Sequence, residues 1–198
     1  MSSEQPPSNH SNSSNNQKKP RWIWFITGPT ACGKTTVAKS LAQSLGFSFV
    51  EGDDYHPKAN VEKMSHNIPL TTADRTAWLE ALRDHESAQP PANAPTPHLA
   101  VTCSALKREY RDVLRAGGEH AGDLKVRFVF LDVEEEVLRE RARARKGHFA
   151  GEGLVRSQME ALERPDGEGD VVLVDVGRRK QEDVEAEVER RVREAMGI

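Results

Sequence analysis

The chain has 198 residues, a length that suits one domain with a sizeable core rather than a solenoid or a multi-domain assembly. Its 28 Lys and Arg against 31 Asp and Glu leave a formal charge of −3, without the basic excess of a general nucleic-acid binder. Two cysteines, Cys32 and Cys103, make neither a disulfide framework nor a zinc-spaced cluster, and no apolar run approaches the roughly 20 residues of a membrane span. With no secretory or transit signature either, the expectation is a cytoplasmic protein without nucleic-acid or membrane partners.

Residues 1–19 are rich in Ser and Asn and hold no aliphatic residue after Met1, so they read as a disordered tail ahead of a single domain over 20–198. The continuous apolar run Trp22-Ile23-Trp24-Phe25-Ile26 predicts a strand buried on both faces, ending at Gly28. From Lys34, the helical spacing of Val37, Ala38, Leu41 and Leu45 predicts a helix stopped by Gly46. Short runs rich in β-branched or aromatic residues at 47–50, 99–102, 126–131 and 171–176 predict four more strands. Helical patterns fill the intervals at 72–85, 106–115, 134–145 and 154–162, and a last helix carries Val184, Val188 and Val192 on one stripe. This alternation predicts an α/β fold with a mainly parallel five-stranded sheet. The segment 87–98, with four prolines, reads as a surface loop. Trp22, Trp24 and Trp78 are expected to be core aromatics.

Between the first strand and its helix stands Gly28-Pro29-Thr30-Ala31-Cys32-Gly33-Lys34-Thr35, a complete GxxxxGKT in the setting that a phosphate-binding loop requires. Glycines let the backbone bend and approach phosphate, main-chain N–H groups converge on the anion, and the helix N-terminus favours negative charge. Lys34 would neutralise the outer phosphates and Thr35 would offer its hydroxyl to Mg²⁺, with Thr36 beside it. Cys32 reads as a small residue tolerated in a tight loop rather than as a reactive thiol. A nucleoside triphosphate is implied, and the acceptor is left open.

At the end of the second strand, Glu51-Gly52-Asp53-Asp54-Tyr55-His56-Pro57 places carboxylates where a doubly wound sheet meets its ligand. One carboxylate can orient or deprotonate a hydroxyl while a neighbour holds a metal's water shell, so Thr35, Glu51 and Asp53 are the candidate metal residues. Arg139, Arg141, Arg143, Arg145 and Lys146 crowd ahead of Gly147-His148-Phe149, a positive segment suited to an anion. Asp132, after Phe128-Val129-Phe130-Leu131, is expected to cap the next helix rather than to act as a Walker B acid, and Asp175 is read as a strand-end acid.

With these residues in view the sequence resembles the gluconokinases, small P-loop kinases related to the shikimate kinase group. The resemblance rests on GPTACGKT at 28–35, GDDYHPKANVEKM at 52–64, PLTTADRTAWL at 69–79, CSALKREYRDVLR at 103–115, RARARKGHF at 141–149 and LVRSQMEALERP at 154–165. It implies a three-layer α/β/α P-loop kinase with a mobile lid over about 139–153, using ATP and Mg²⁺ to phosphorylate the 6-hydroxyl of D-gluconate. On this sequence it implies Lys34, Asp53 and Arg145 as the catalytic set. Asp53 faces the hydroxyl with His56 close by, Arg75 pairs with the substrate carboxylate, and Lys107, His148 and Gln158 also lie with substrate. Arg141 is set against the nucleotide. Arg139 and Arg143 are expected to be a solvated helix face paired with Glu135 or Glu136. The family commonly has Asp where Glu51 stands and Leu or Phe where Tyr55 stands. Relatives often form homodimers, but no stripe here reads as an interface. A kinase for another small hydroxy acid such as shikimate, and a nucleotide-dependent switch without acceptor chemistry, are the alternatives.

Overall fold

A computed structural model describes residues 20–66, 68, 70–87, 94–120, 123–144 and 152–198. The expected tail, 1–19, and 88–93 of the proline-rich segment lie outside the described residues, as does 145–151 of the expected lid. Five strands run parallel in the order β2-β3-β1-β4-β5: β1 Arg21–Thr27, β2 Ser48–Glu51, β3 Leu99–Thr102, β4 Leu124–Asp132 and β5 Val171–Asp175. The helices are α1 Lys34–Leu45, α2 Lys58–Ser65, α3 Thr72–Ser87, α4 Arg108–His120, α5 Glu135–Ala144, α6 Glu152–Ala161 and α7 Gln181–Met196.

Every residue of β1 is buried because it is paired on both sides and covered on both faces, which explains its unbroken apolar run. Trp22, Trp24 and Ile26 turn toward one layer with α1 and the Val184, Val188 and Val192 stripe of α7. Ile23 and Phe25 turn toward the other, with Trp78, Leu79 and Leu82 of α3 and Tyr110 and Leu114 of α4. The three layers are therefore those expected, and all three tryptophans are buried.

Differences from the sequence reading are local. Helix α2 was not expected: Pro57 at its N-cap pre-sets the turn, but only Asn60 is buried and Val61 and Met64 are exposed, so there is no apolar stripe to read. Helix α4 starts at Arg108, after Lys107, where the Glu163 carboxylate accepts the Arg108 backbone N–H at 2.7 Å. Asp132 does not serve α5, which begins at Glu135; its carboxylate pairs with the Arg164 guanidinium at 2.5 Å. Arg139 meets Glu135 one turn away, as the helix-face reading requires.

A dense polar knot joins α4 to the segment before β5. Arg111, 1% exposed, and Arg115 both bind Glu168, and Arg115 also binds Asp170 at 2.7 Å. The Arg111 hydrogen bonds, then those from Arg115, hold the Glu168 carboxyl at about 2, below its ordinary 4.5. A depressed carboxylate contributes stability that is whole above pH 4.5 and lost as pH falls through about 2. Glu168→Ala strands a buried cation and should cost about 3–5 kcal/mol at neutral pH, roughly 10 °C in Tm. Urea melts should show the gap from wild type closing between pH 4.5 and 2; a gap independent of pH would remove the ion-pair account.

Candidate functional site

The site is assembled by strand register. Glu51 stands opposite Thr102, and Thr102 opposite Ile26, so β1, β2 and β3 end level and deliver their loops to one edge of the sheet. The order reverses there, since β1 is flanked by β3 on one side and β4 on the other, which is where parallel sheets open a ligand crevice. Hydrogen bonds lock the edges together: Gly28 N–H donates to Ser104 O at 3.3 Å and Cys103 N–H to Ile26 O at 3.2 Å.

The phosphate loop takes the expected form. Gly28 has φ +136°, and a Cβ there would lie 2.9 Å from both Cys32 Sγ and Leu131 O, so only glycine fits. Gly33, also in the left-handed region, leads into α1. Lys34 Nζ bends back over the loop to the carbonyls of Gly28 at 3.1 Å and Pro29 at 2.9 Å. Cys32 is 1% exposed, in agreement with a packing role. Thr36 lies exposed in the first turn of α1.

Thr35 Oγ1 donates to Glu51 Oε2 at 2.9 Å, and the other Glu51 oxygen accepts from Thr102 Oγ1. Thr102 in turn accepts Gly52 N–H at 3.1 Å. A Cβ on Gly52 would sit 2.0 Å from Thr102 O, so glycine is required by close approach of the chains. Thr35 and Glu51 are hard oxygen donors brought side by side, a set that fits Mg²⁺ supplemented by phosphate oxygens and water. Beyond Glu51 a 3₁₀ turn, Gly52–Tyr55, presents Asp53 with its side chain 78% exposed. A hollow of about 430 Å³ lined by Phe49, Val50, Glu51, Asp54 and Tyr55 opens beside it. One of about 470 Å³ is lined by α5 residues alone, and none of the phosphate-loop groups border it.

His56 stacks on the Trp78 ring, centroids 4.1 Å apart, with Nε2 3.9 Å from Asp53 Oδ1. Burial lowers its pKa, Asp53 pulls it up, and the Arg75 charge lowers it again, so the ring is neutral at pH 7. Arg75, half-buried on α3, is thus close enough to act on His56 electrostatically. Trp78 does more than fill the core, since its indole N–H donates to Gly52 O at 2.9 Å and fixes the turn that carries Asp53. Buried Asn60 ties α2 to α3 through Asp74 O at 3.0 Å. Burial pushes the Cys103 thiol up to about 12, which keeps it protonated and out of nucleophilic chemistry.

The other expected residues spread further. Lys107 Nζ turns to Glu109 at 3.4 Å and lies 5.7 Å over the Tyr110 ring. Gln158 reaches from α6 to the phosphate loop, where Oε1 accepts Thr30 N–H at 2.6 Å. Arg141 donates to Gly177 O at 3.2 Å, beside the end of β5. Arg145 and His148 lie outside the described residues. Thr102, Trp78 and Asn60 were missed as site residues. Thr102 could have been suspected as the polar end of an apolar strand, whereas nothing in the spacing of Trp78 or Asn60 signals their partners.

The family described as AAA domain matches residues 23–165. A probable gluconokinase of Schizosaccharomyces pombe is 40% identical over 173 residues, covering 83% of this chain and 85% of that protein. A gluconokinase of Gluconobacter oxydans is 45% identical over 157 residues, covering 79% and 83%. The crystal structure of a gluconokinase from Sinorhizobium meliloti 1021 superposes with a TM-score of 0.71 at 36% identity, covering 88% of this chain and 97% of its own. Among the described residues, no helix is long and apolar enough to cross a membrane.

Proposed function

The chain belongs to the gluconokinase family, and from that premise we propose how its residues transfer a phosphoryl group from ATP to the 6-hydroxyl of D-gluconate. The products are 6-phospho-D-gluconate and ADP. The observation that carries the reading is the convergence of a complete phosphate loop and an exposed carboxylate, Asp53, at one sheet edge.

The loop from Gly28 to Thr35 cradles the phosphates, and Lys34 leaves its two carbonyl partners to neutralise them. Thr35 and Glu51 would hold Mg²⁺, which would supply positive charge to offset that of the phosphates. Glu51 is held for that role by its bonds to the Thr35 and Thr102 hydroxyls. Asp53 accepts the proton of the sugar-acid hydroxyl as the phosphoryl group arrives in line. Neutral His56 stands beside it as a hydrogen-bonding partner for the polyol, and Arg75 pairs with the substrate carboxylate through its planar fork. Gln158 holds the shoulder of the phosphate loop, and Arg141 serves the nucleotide side.

The test is ADP release from ATP and Mg²⁺ with D-gluconate, its C-2 epimer, shikimate, AMP or no acceptor. Gluconate-dependent turnover is expected. Turnover with shikimate alone would replace the acceptor, and turnover without any acceptor would discard acceptor chemistry. Arg75→Ala should raise KM for gluconate about 10- to 100-fold, the worth of a charge-assisted hydrogen-bonded pair, with KM for ATP unchanged. An effect confined to ATP would reassign Arg75.

A further inference from the structure

Arg111 is a charged side chain at 1% exposure on a helix whose Arg108 is out in solvent. A guanidinium has five N–H donors, and here all five are spent. Nε donates to Glu168 Oε2 at 3.0 Å, and Nη2 to Glu168 Oε1 at 2.5 Å and Glu163 O at 3.1 Å. Nη1 donates to Ala105 O at 3.0 Å and Leu106 O at 3.2 Å. These acceptors lie on two chain segments far apart in sequence, the loop between β3 and α4 and the stretch between α6 and β5.

The same two segments are joined directly by Glu163 N–H to Leu106 O at 2.9 Å and by Arg108 N–H to the Glu163 carboxylate. Within the loop, Ala105 holds φ +38°, a left-handed conformation that a non-glycine residue keeps only where its surroundings over-determine it. The start of that loop reaches the site: Thr102, just before it, accepts Gly52 N–H at the head of the turn that carries Asp53, and Ser104 O accepts Gly28 N–H. An apolar side chain would fill the volume of Arg111 without the desolvation cost of a buried charge. Only the fork can fix five acceptors in direction.

We infer that Arg111 is a positioning residue for the acceptor side, holding residues 103–107 and 163–168 as one rigid unit against which Asp53 and the substrate are placed. This deepens the kinase reading, and only its kinetic readout depends on that reading. Arg111→Lys keeps the charge but has three donors on a stem of different reach. Val188→Ala, in α7 on the opposite face of the sheet, serves as the stability control.

The experiment uses the full chain and two readouts. Amide hydrogen exchange needs no substrate: in Arg111→Lys, peptides covering 103–107 and 163–168 should lose protection together, by roughly 10-fold or more, while α1, which follows the phosphate loop, keeps its own. Kinetically, KM for gluconate should rise about 10-fold and Kd for ATP should change less than about twofold, because the displaced geometry is on the acceptor side. At an equal loss of Tm, Val188→Ala should leave KM for gluconate unchanged. Loss of protection in one segment alone, an unchanged KM, or the same rise in KM for Val188→Ala would each overturn the inference.

Should Arg111→Lys fail to fold, Glu163→Ala cuts the second tie between the same segments and leaves Arg111 in place. It should raise KM for gluconate about threefold, and an unchanged KM would again overturn the inference. Absence of gluconate turnover in the wild-type protein would defeat the substrate reading, and the exchange result alone would then decide the role of Arg111.

Discussion

Lys34→Ala should lose at least about 10³-fold in kcat while the protein stays folded, because it removes a preorganised positive charge from the place where phosphate charge develops. The expectation that the fold survives has a specific basis. Lys34 is the first residue of α1, alanine is the best helix former, and the buried face of α1 is made by Val37, Ala38, Leu41 and Ala42. The two bonds lost, to the Gly28 and Pro29 carbonyls, are at a half-buried position where water can replace the ammonium. Circular dichroism melts alongside turnover separate the two effects. A variant that turns over at the wild-type rate would defeat the phosphate-loop reading.

Asp53→Asn should lower kcat by about 10²- to 10⁴-fold, the range associated with a positioned proton acceptor, with ATP affinity retained. The substitution is nearly isosteric, and the side chain is 78% exposed, so packing is untouched. His56, 3.9 Å away, keeps its stacking on Trp78, and the 3₁₀ turn keeps its tie from the Trp78 indole to Gly52 O. Single-turnover measurements with ATP prebound read the chemical step itself. An unchanged kcat would remove Asp53 from the proton-transfer or orienting role.

The Glu51 carboxylate spans two threonine hydroxyls on neighbouring elements, the first turn of α1 and the end of β3. That bridge makes Glu51 a brace of the site as well as a candidate for the metal's surroundings. It could not be read from the chain, because Thr102 lies 51 residues away and becomes a neighbour only through the β2–β3 register.

What the sequence determined by itself was the alternation of elements, the buried central strand, the phosphate loop and the acidic turn, since each is encoded within a few consecutive residues by periodicity, glycine placement or helix stops. Even there, a helix without an apolar stripe escaped notice, as α2 did, because burial of one asparagine leaves no periodic trace. Tertiary structure alone decided the partners of polar side chains. Trp78 was legible as a core residue but not as the donor that fixes the Asp53 turn. Asp132, whose place before a helix suggests a cap, pairs with Arg164, and Gln158 accepts a backbone N–H of the phosphate loop. Nothing in the chain sets Arg111 apart from the other arginines of its helix, yet it is buried with every donor satisfied. The physical reason is that apolar burial is non-directional and leaves its period in the chain, whereas a hydrogen bond needs one atom at one distance and angle, which only the folded register supplies.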